Sequence, residues 1–587
     1  MSGHLPARTL ALVAAAALVA GVSASATAPS AAAPDAPAPS CPVATDLTTL
    51  ARGAPVHGLT VSQGTTPEGF TGELIGIQHD GIVPGVDLVI VSLDSPAITD
   101  AGGVWQGMSG SPVYAADDTL VGAVSWSLSY GGSDIVGVTP AAEMQTMLDA
   151  GTSAAARSVP TRLTLSPAMR HAVVANGSTS AAARAGMEAM TLPMAISGLT
   201  SHRIDQLTRR AGPDGVHPYS APAVPIEPSP TAIVPGGNLA ASIAYGSLSA
   251  AAVGTATEVC GDEVLAFGHP IMDIPRGDLT LHGADALYVQ PDPLGQPYKL
   301  ANITGPVGSL PDNLLPGLHG YLGPAPPATE VDSTSRLAGG GRATGTTYIS
   351  LRPFAPMYVA FSAISVEDRA LGVNMNAWYG APGTDLVTWT VHGERADGTP
   401  FTATRTDHYA SATDIGYTWP WELHDQLNQL MNNETEDVTV TRVTTTSRTN
   451  PVYRHLRISG LEARVAGDWR PVRTHRPLQL VAGTTQRLRV VMRSAALGTR
   501  YQWLTLDIPA DAVGRYGDLV VSGGDDVYAE APSGATVDRM LAFFARMPRN
   551  DQVLTRLSFS GLHPAADRFV QHATVGGEVD VQIQAVD

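Results

Sequence analysis

The sequence predicts a mainly β protein, and three observations carry that expectation. Glycine (60) and proline (45) are frequent among the 587 residues while charged residues make up only 15%, a balance that favours strands and turns over long helices. From about residue 59 to 91 short apolar runs alternate with turns at Gly69, Gly72, Gly76 and Pro84-Gly85. The run VDLVIVSL at residues 86–93 is continuously apolar, the pattern of a strand buried on both faces. Hydrophobic residues reach 44%, enough for real cores, and the length suits two to four domains.

Charge excludes some partners. Lys and Arg number 35 against 53 Asp and Glu, a formal net charge of −18. Such an acidic chain is a poor ligand for nucleic acid or an anionic membrane surface.

The first 28 residues read as a signal peptide. Arg8 supplies positive charge, residues 10–22 an apolar core, and Ala24-Ser25-Ala26-Thr27-Ala28 a small-residue cleavage region. No later run reaches the ~18 apolar residues of a membrane span. The mature chain is therefore expected outside the cytoplasm, starting near Pro29 and free of the membrane, with residues 29–45 as an Ala/Pro-rich spacer. The only cysteines are Cys41 and Cys260. In an oxidising compartment they could pair; two free thiols fit equally well, and two cysteines make no zinc site unaided.

The chain divides by composition. Residues 46–150 carry the apolar strand and then a hairpin, 112–115 with 120–126, turning at Ala116-Asp117-Asp118. Thr139 as N-cap and Pro140 at the first helical position predict a helix to about Ala150, with Met144, Met147 and Leu148 as its buried stripe. Residues 151–230 read as a connector. Residues 231–330 resume the β pattern, with strands at 239–245, 250–259 and 263–267. Residues 331–434 read as a β-rich accessory region with strands at 348–351 and 357–366 and a helix at 421–431. Alternation at 435–510 fits an immunoglobulin-like domain. Residues 511–587 form a β/α end, with Val537, Met540, Leu541 and Phe544 as a helical stripe.

One stretch carries chemistry. In Gly107-Met108-Ser109-Gly110-Ser111-Pro112 a serine stands among small residues, so the backbone can turn tightly and a substrate carbonyl can approach. Amides of such a turn can converge on an oxyanion. Taken bare, the motif also reads as a tight turn between strands, and Ser111 is a second candidate nucleophile. Further on comes Ala266-Phe267-Gly268-His269-Pro270, followed by Asp273. His282 with Asp285 is a conceivable ligand pair, though such pairs are usually solvated surface groups. No phosphate-binding glycine loop or metal-spaced His/Cys cluster appears, so no metal or organic cofactor is expected.

The stretch at residues 102–112, continuing through Leu120-Val121-Gly122-Ala123-Val124, resembles the SpoIVB family of serine peptidases. The resemblance returns at Leu265-Ala266-Phe267-Gly268-His269. It implies a trypsin-like double-β-barrel peptidase domain built from the two segments, 46–150 and 231–330, with the family's histidine and serine segments in permuted order. It implies a triad of Ser109, His269 and Asp94, the last by its place at the end of the apolar strand, fifteen residues before the serine. Gly107 and Ser109 would supply the oxyanion amides. The expected function is a secreted serine endopeptidase acting on protein or peptide substrates, with autoprocessing as one outlet. The competing expectation is a non-catalytic extracellular binding protein on a peptidase-like scaffold, since about half the chain is accessory.

Overall fold

The apolar run VDLVIVSL lies in a strand whose two faces are both buried. Val89, Val91 and Leu93 pack with Val56, Phe70 and Trp105, whereas Leu88 and Ile90 pack with Trp126 and Met169. In the computed structural model the described residues are 41–128, 132–149, 160–211, 216–272, 274, 276–292, 295–372, 380–473, 475–527 and 529–587. The expected signal peptide and Asp273 lie outside them. Among the described residues no helix is long and apolar enough to cross a membrane.

The first segment closes on itself. Strands β1 (Pro55–Thr60), β2 (Glu68–Val83), β3 (Val86–Asp94), β4 (Pro112–Ala115), β5 (Leu120–Leu128) and β6 (Ile135–Pro140) pair antiparallel in the order β4-β1-β2-β3-β6-β5, and β4 returns to β5. Helix α1 (Pro96–Ala101) follows β3. Its N-cap Ser95 hydroxyl accepts the Ile98 N–H, and Gly102 ends it in the left-handed region at φ 83°. Helix α2 (Ala141–Asp149) buries Met144 and Met147 as expected. It begins later than predicted, because Thr139 and Pro140 remain in β6, paired with Ala123 and Gly122. Residues 41–45 also depart from the spacer expectation: Thr45 N–H donates to the Leu120 carbonyl and Leu120 N–H to the Val43 carbonyl, each at 2.8 Å.

The expected connector is structured as well. It holds α3 (Pro167–Ala175), α4 (Ser180–Ala185), β7 (Met187–Ala189), β8 (Leu192–Ser197), α5 (Ser201–Ala211) and β9 (Val216–Ser220). Strand β7 joins the first barrel beside β5, while β8 and β9 join the second sheet.

That second sheet contains a ring. Strands β10 (Asn238–Gly246), β11 (Ser249–Cys260), β12 (Glu263–Ala266), β13 (Arg276–Gln290), β14 (Tyr298–Leu314) and β15 (Gly317–Leu322) pair antiparallel as β10-β13-β14-β15-β12-β11, and β11 returns to β10. Every residue of β10 is buried. Its small side chains (NLAASIAYG) let neighbouring layers approach from both faces.

From β10 the sheet runs on through β16 (Thr329–Leu337), β17 (Arg342–Ile349), β18 (Gly383–Arg395), β19 (Pro400–Ser411) and β20 (Val438–Asn450). Helices α6 (Ala355–Leu371) and α7 (Pro420–Met431) pack on this extension. Here the strand expected at 357–366 is corrected: it is the middle of α6. Nearly all of α6 is buried, so it has no polar face to mark a helical period, and its Val and Ile content reads as strand.

The C-terminal region is a pair of five-stranded sheets that share one apolar core, including Leu456, Val490, Leu519, Val553 and Val581. It spans His455 to Val586. The boundaries expected at 435–510 and 511–587 therefore shift: β20 belongs to the second sheet, and residues after 511 complete the sandwich. Helix α8 (Val537–Arg546) turns Val537, Met540 and Phe544 away from that core, towards the extension.

Candidate active site

Ser109 comes from the first, closed segment and His269 from the second sheet. The serine sits on the turn before β4, folded back by Met108 N–H to Trp105 O (3.1 Å) and Ser111 N–H to Met108 O (2.8 Å). Strand β11 holds this turn from the second sheet. Thr255 N–H donates to the Ser109 carbonyl at 2.8 Å, Thr255 Oγ1 to the Gly107 carbonyl at 3.0 Å, and Thr257 Oγ1 to the Gly110 carbonyl at 2.8 Å. Gly110 is required at this contact. Its φ is 96°, and a Cβ there would stand 1.9 Å from the Thr255 carbonyl oxygen.

The histidine is delivered by a tight reversal after β12. Phe267 and Gly268 both take positive φ (68° and 67°), and Gly268 N–H donates to the Ala266 carbonyl at 2.8 Å. A fully buried phenylalanine in this region costs about 1–3 kcal/mol, a strain found where function fixes the backbone. The Phe267 ring lies against Gly254, where a Cβ would meet it at 2.0 Å. Thr139 Oγ1 donates to the Gly268 carbonyl at 2.7 Å, so the residue expected as a helix cap instead anchors the histidine loop.

His269 Nε2 stands 2.9 Å from Ser109 Oγ. Its Nδ1 stands 2.9 Å from the Pro270 carbonyl oxygen. A carbonyl only accepts, so Nδ1 carries the proton and Nε2 is left to accept from the serine hydroxyl. That is the tautomer a general base needs. Both groups are sealed: Ser109 is 0% exposed and His269 2%. Burial pushes the imidazole down to about 4, opposed by the hydrogen bond to Pro270, so the ring is neutral at neutral pH.

Two of the three triad residues meet; the third does not. Asp94 is exposed at the end of β3, where its backbone carbonyl accepts from Thr71 Oγ1 at 3.5 Å. The Pro270 carbonyl takes the place expected for its carboxylate. Gly107 and Ser109 lie on one turn, and among the described residues neither amide has a protein acceptor. Ser111 is buried and donates to Thr60 Oγ1 at 3.0 Å, a hydroxyl rather than a base. His282 does not pair with Asp285: it lies between Ser242 Oγ (2.8 Å) and the Thr304 carbonyl (3.0 Å), while Asp285 is exposed. Cys41 and Cys260 form a disulfide with Cα atoms 5.2 Å apart.

Sequence reasoning missed the residues that hold the site, namely Thr255, Thr257 and Thr139, because threonines in strands carry no signal of their own. It also missed Lys299, which runs alongside Gly107. No family model, no curated protein and no solved structure matches the chain.

Proposed function

We propose that this chain is an exported serine endopeptidase with a trypsin-like pair of β-barrels, of the kind the SpoIVB resemblance implies. The observation that carries the reading is the 2.9 Å contact between Ser109 Oγ and His269 Nε2, with the Nδ1 proton held by a carbonyl. Ser109 attacks the scissile carbonyl. His269 takes the hydroxyl proton and returns it to the leaving amine. The free amides of Gly107 and Ser109 receive the oxyanion. The backbone carbonyl of Pro270 does the orienting that a carboxylate does in a Ser-His-Asp triad. The Cys41–Cys260 disulfide is compatible with an oxidising compartment outside the cytoplasm.

A second reading is a non-catalytic extracellular binding protein on the same scaffold. Two observations favour it: the serine is fully enclosed, and the histidine has no carboxylate partner. One experiment separates the two. Purified mature protein is treated with a fluorophosphonate probe beside Ser109→Ala and His269→Ala, and incubated with unfolded protein substrates. Labelling at Ser109 with peptide release, lost in both variants, supports the peptidase. Wild type and Ser109→Ala behaving alike leaves the scaffold.

A further inference from the structure

Lys299 is the only lysine in the chain; the other 34 basic residues are arginines. A lone lysine in so arginine-rich a sequence would ordinarily be a surface residue. This one is 0% exposed, a rare fate for a residue that is almost never fully buried unless paired. It stands at the start of β14, and its N–H donates to the Gln106 carbonyl at 3.0 Å. Its side chain then runs past the next residue. A Cβ on Gly107 would meet Lys299 Cβ at 3.1 Å and Cε at 3.5 Å. The ammonium, one bond beyond Cε, donates to Asn238 Oδ1 at 2.7 Å. Asn238 is the register partner of Thr255, the residue that stitches the serine turn to the second sheet.

We propose that Lys299 is an electrostatic positioning residue of the hydrolytic site: its cation lies along the oxyanion turn and stabilises negative charge gathering on a substrate carbonyl held by Gly107 and Ser109. This rests on the serine-peptidase reading. An amine has three donors when protonated, and Asn238 uses one. Arginine is no equivalent here, because its guanidinium stays charged at every pH whereas a buried lysine shifts its pKa readily. Pro193, Gln106, Gly107 and Asn238 pack around the side chain without charge. The carboxylate of Glu68 favours the ammonium, while burial outweighs it and brings the amine down to about 7. His269, the other titratable group of the site, is neutral well below that.

The single lysine makes the test direct. In protein labelled with [ζ-15N]lysine one side-chain resonance reports its titration, expected near pH 7; a midpoint near 10 overturns the proposal. The rate of fluorophosphonate labelling at Ser109 is then followed against pH. Wild type should lose rate as pH rises through about 7, where the cation is lost. Lys299→Met should lose that limb and label on the order of 10²-fold more slowly, the effect of removing one oxyanion donor. Asn238→Asp, nearly isosteric, should move the limb to higher pH by holding the proton on; a merely structural lysine would not move it. Labelling of Lys299→Met at the wild-type rate, or a limb unmoved in Asn238→Asp, overturns the proposal alone. No labelling of wild type at any pH overturns the nucleophile reading and this one together.

Discussion

The Ser109 hydroxyl and the His269 imidazole stand 2.9 Å apart although 160 residues separate them. The contact exists because the second sheet is hydrogen-bonded to the serine turn of the first. Threonines of β11 grip the serine turn, and the same strand pairs with β12, which delivers the histidine. Chain order is therefore immaterial to the pair: each sheet contributes one residue, and the hydrogen bonds between β11 and the serine turn set the distance.

Asp94 gives the first prediction. A triad aspartate replaced by asparagine costs on the order of 10⁴-fold in rate, because the wrong tautomer results. Here the Pro270 carbonyl already fixes the tautomer and Asp94 is exposed. Asp94→Asn should leave both phosphonate labelling and peptide hydrolysis unchanged, while Ser109→Ala and His269→Ala abolish them with an unaltered circular dichroism spectrum. A loss in Asp94→Asn comparable to that in His269→Ala would restore the carboxylate to the site.

Gly268 gives the second. Its φ is 67°, and an added Cβ would stand 2.2 Å from Ser125 Oγ and 3.0 Å from Ala123 Cβ. Gly268→Ala then carries about 1–2 kcal/mol of backbone strain and about 1–3 kcal/mol of overpacking. A lowered melting temperature and lost labelling are expected. Adding Ser125→Gly should recover part of the stability by removing the clash, leaving the φ penalty. No recovery would mean that the clash is relieved elsewhere.

Much of this was legible in residue types and little of it in register. The strand over 86–93, the hairpin after Pro112 and the helices at 420 and 537 follow from local patterns, because each has a clear period or turn. Helix α6 misled because a helix buried all round shows no amphipathic period. The sandwich boundary was misjudged because β20 alternates in the same way whichever sheet receives it. In the site, glycine-flanked Ser109 and His269 were legible as motifs. Asp94 was placed by the resemblance, from its position at the end of the apolar strand fifteen residues before the serine, and such a position does not say which nitrogen a carboxylate can reach. The Pro270 carbonyl could not be read at all, since every residue has one. Lys299 had a signal in plain view, its uniqueness, which composition sums that pool lysine with arginine conceal.

Cys41 and Cys260 give the third prediction. They are 219 residues apart in sequence, and a loop of that size constrains the unfolded chain strongly. The chain-entropy account assigns about 5 kcal/mol to such a bridge. Nearby, Gln145 Nε2 donates both to the Pro42 carbonyl (2.9 Å) and to the buried Glu258 carboxylate (3.0 Å), so the segment following Cys41 is tied down a second time. Cys41→Ser with Cys260→Ser should lower the denaturant midpoint without moving the Ser109–His269 pair, read as retained labelling under native conditions. Quantitative thiol labelling of the unreduced, unfolded wild type should find no free thiol; two would remove the basis of the prediction.

The last prediction concerns His282. It is fully buried on β13, with Nδ1 donating to the Thr304 carbonyl and Nε2 beside Ser242 Oγ. Burial lowers its pKa to about 4, against the pull of its backbone hydrogen bonds, whereas the unfolded chain should titrate near 6.5. Between those values the unfolded state binds a proton that the folded state refuses. Stability from this group is therefore complete above pH 6.5 and is lost as pH falls towards 4, by about 3 kcal/mol in all. His269, lowered to about 4 by the same cause, adds a parallel loss. Glu367 and Asp385 act in the opposite sense: burial raises both, so they cost stability as pH rises. The total slope therefore does not isolate His282, and a variant comparison does. His282→Gln keeps a side chain that can donate and accept but cannot take up the proton. Wild type should be the more stable at pH 7.5, and its advantage in urea unfolding should shrink steadily towards pH 4.5. An advantage that stays constant across that range would mean that His282 takes up its proton at the same pH in the folded as in the unfolded chain, and that its burial does not shift it.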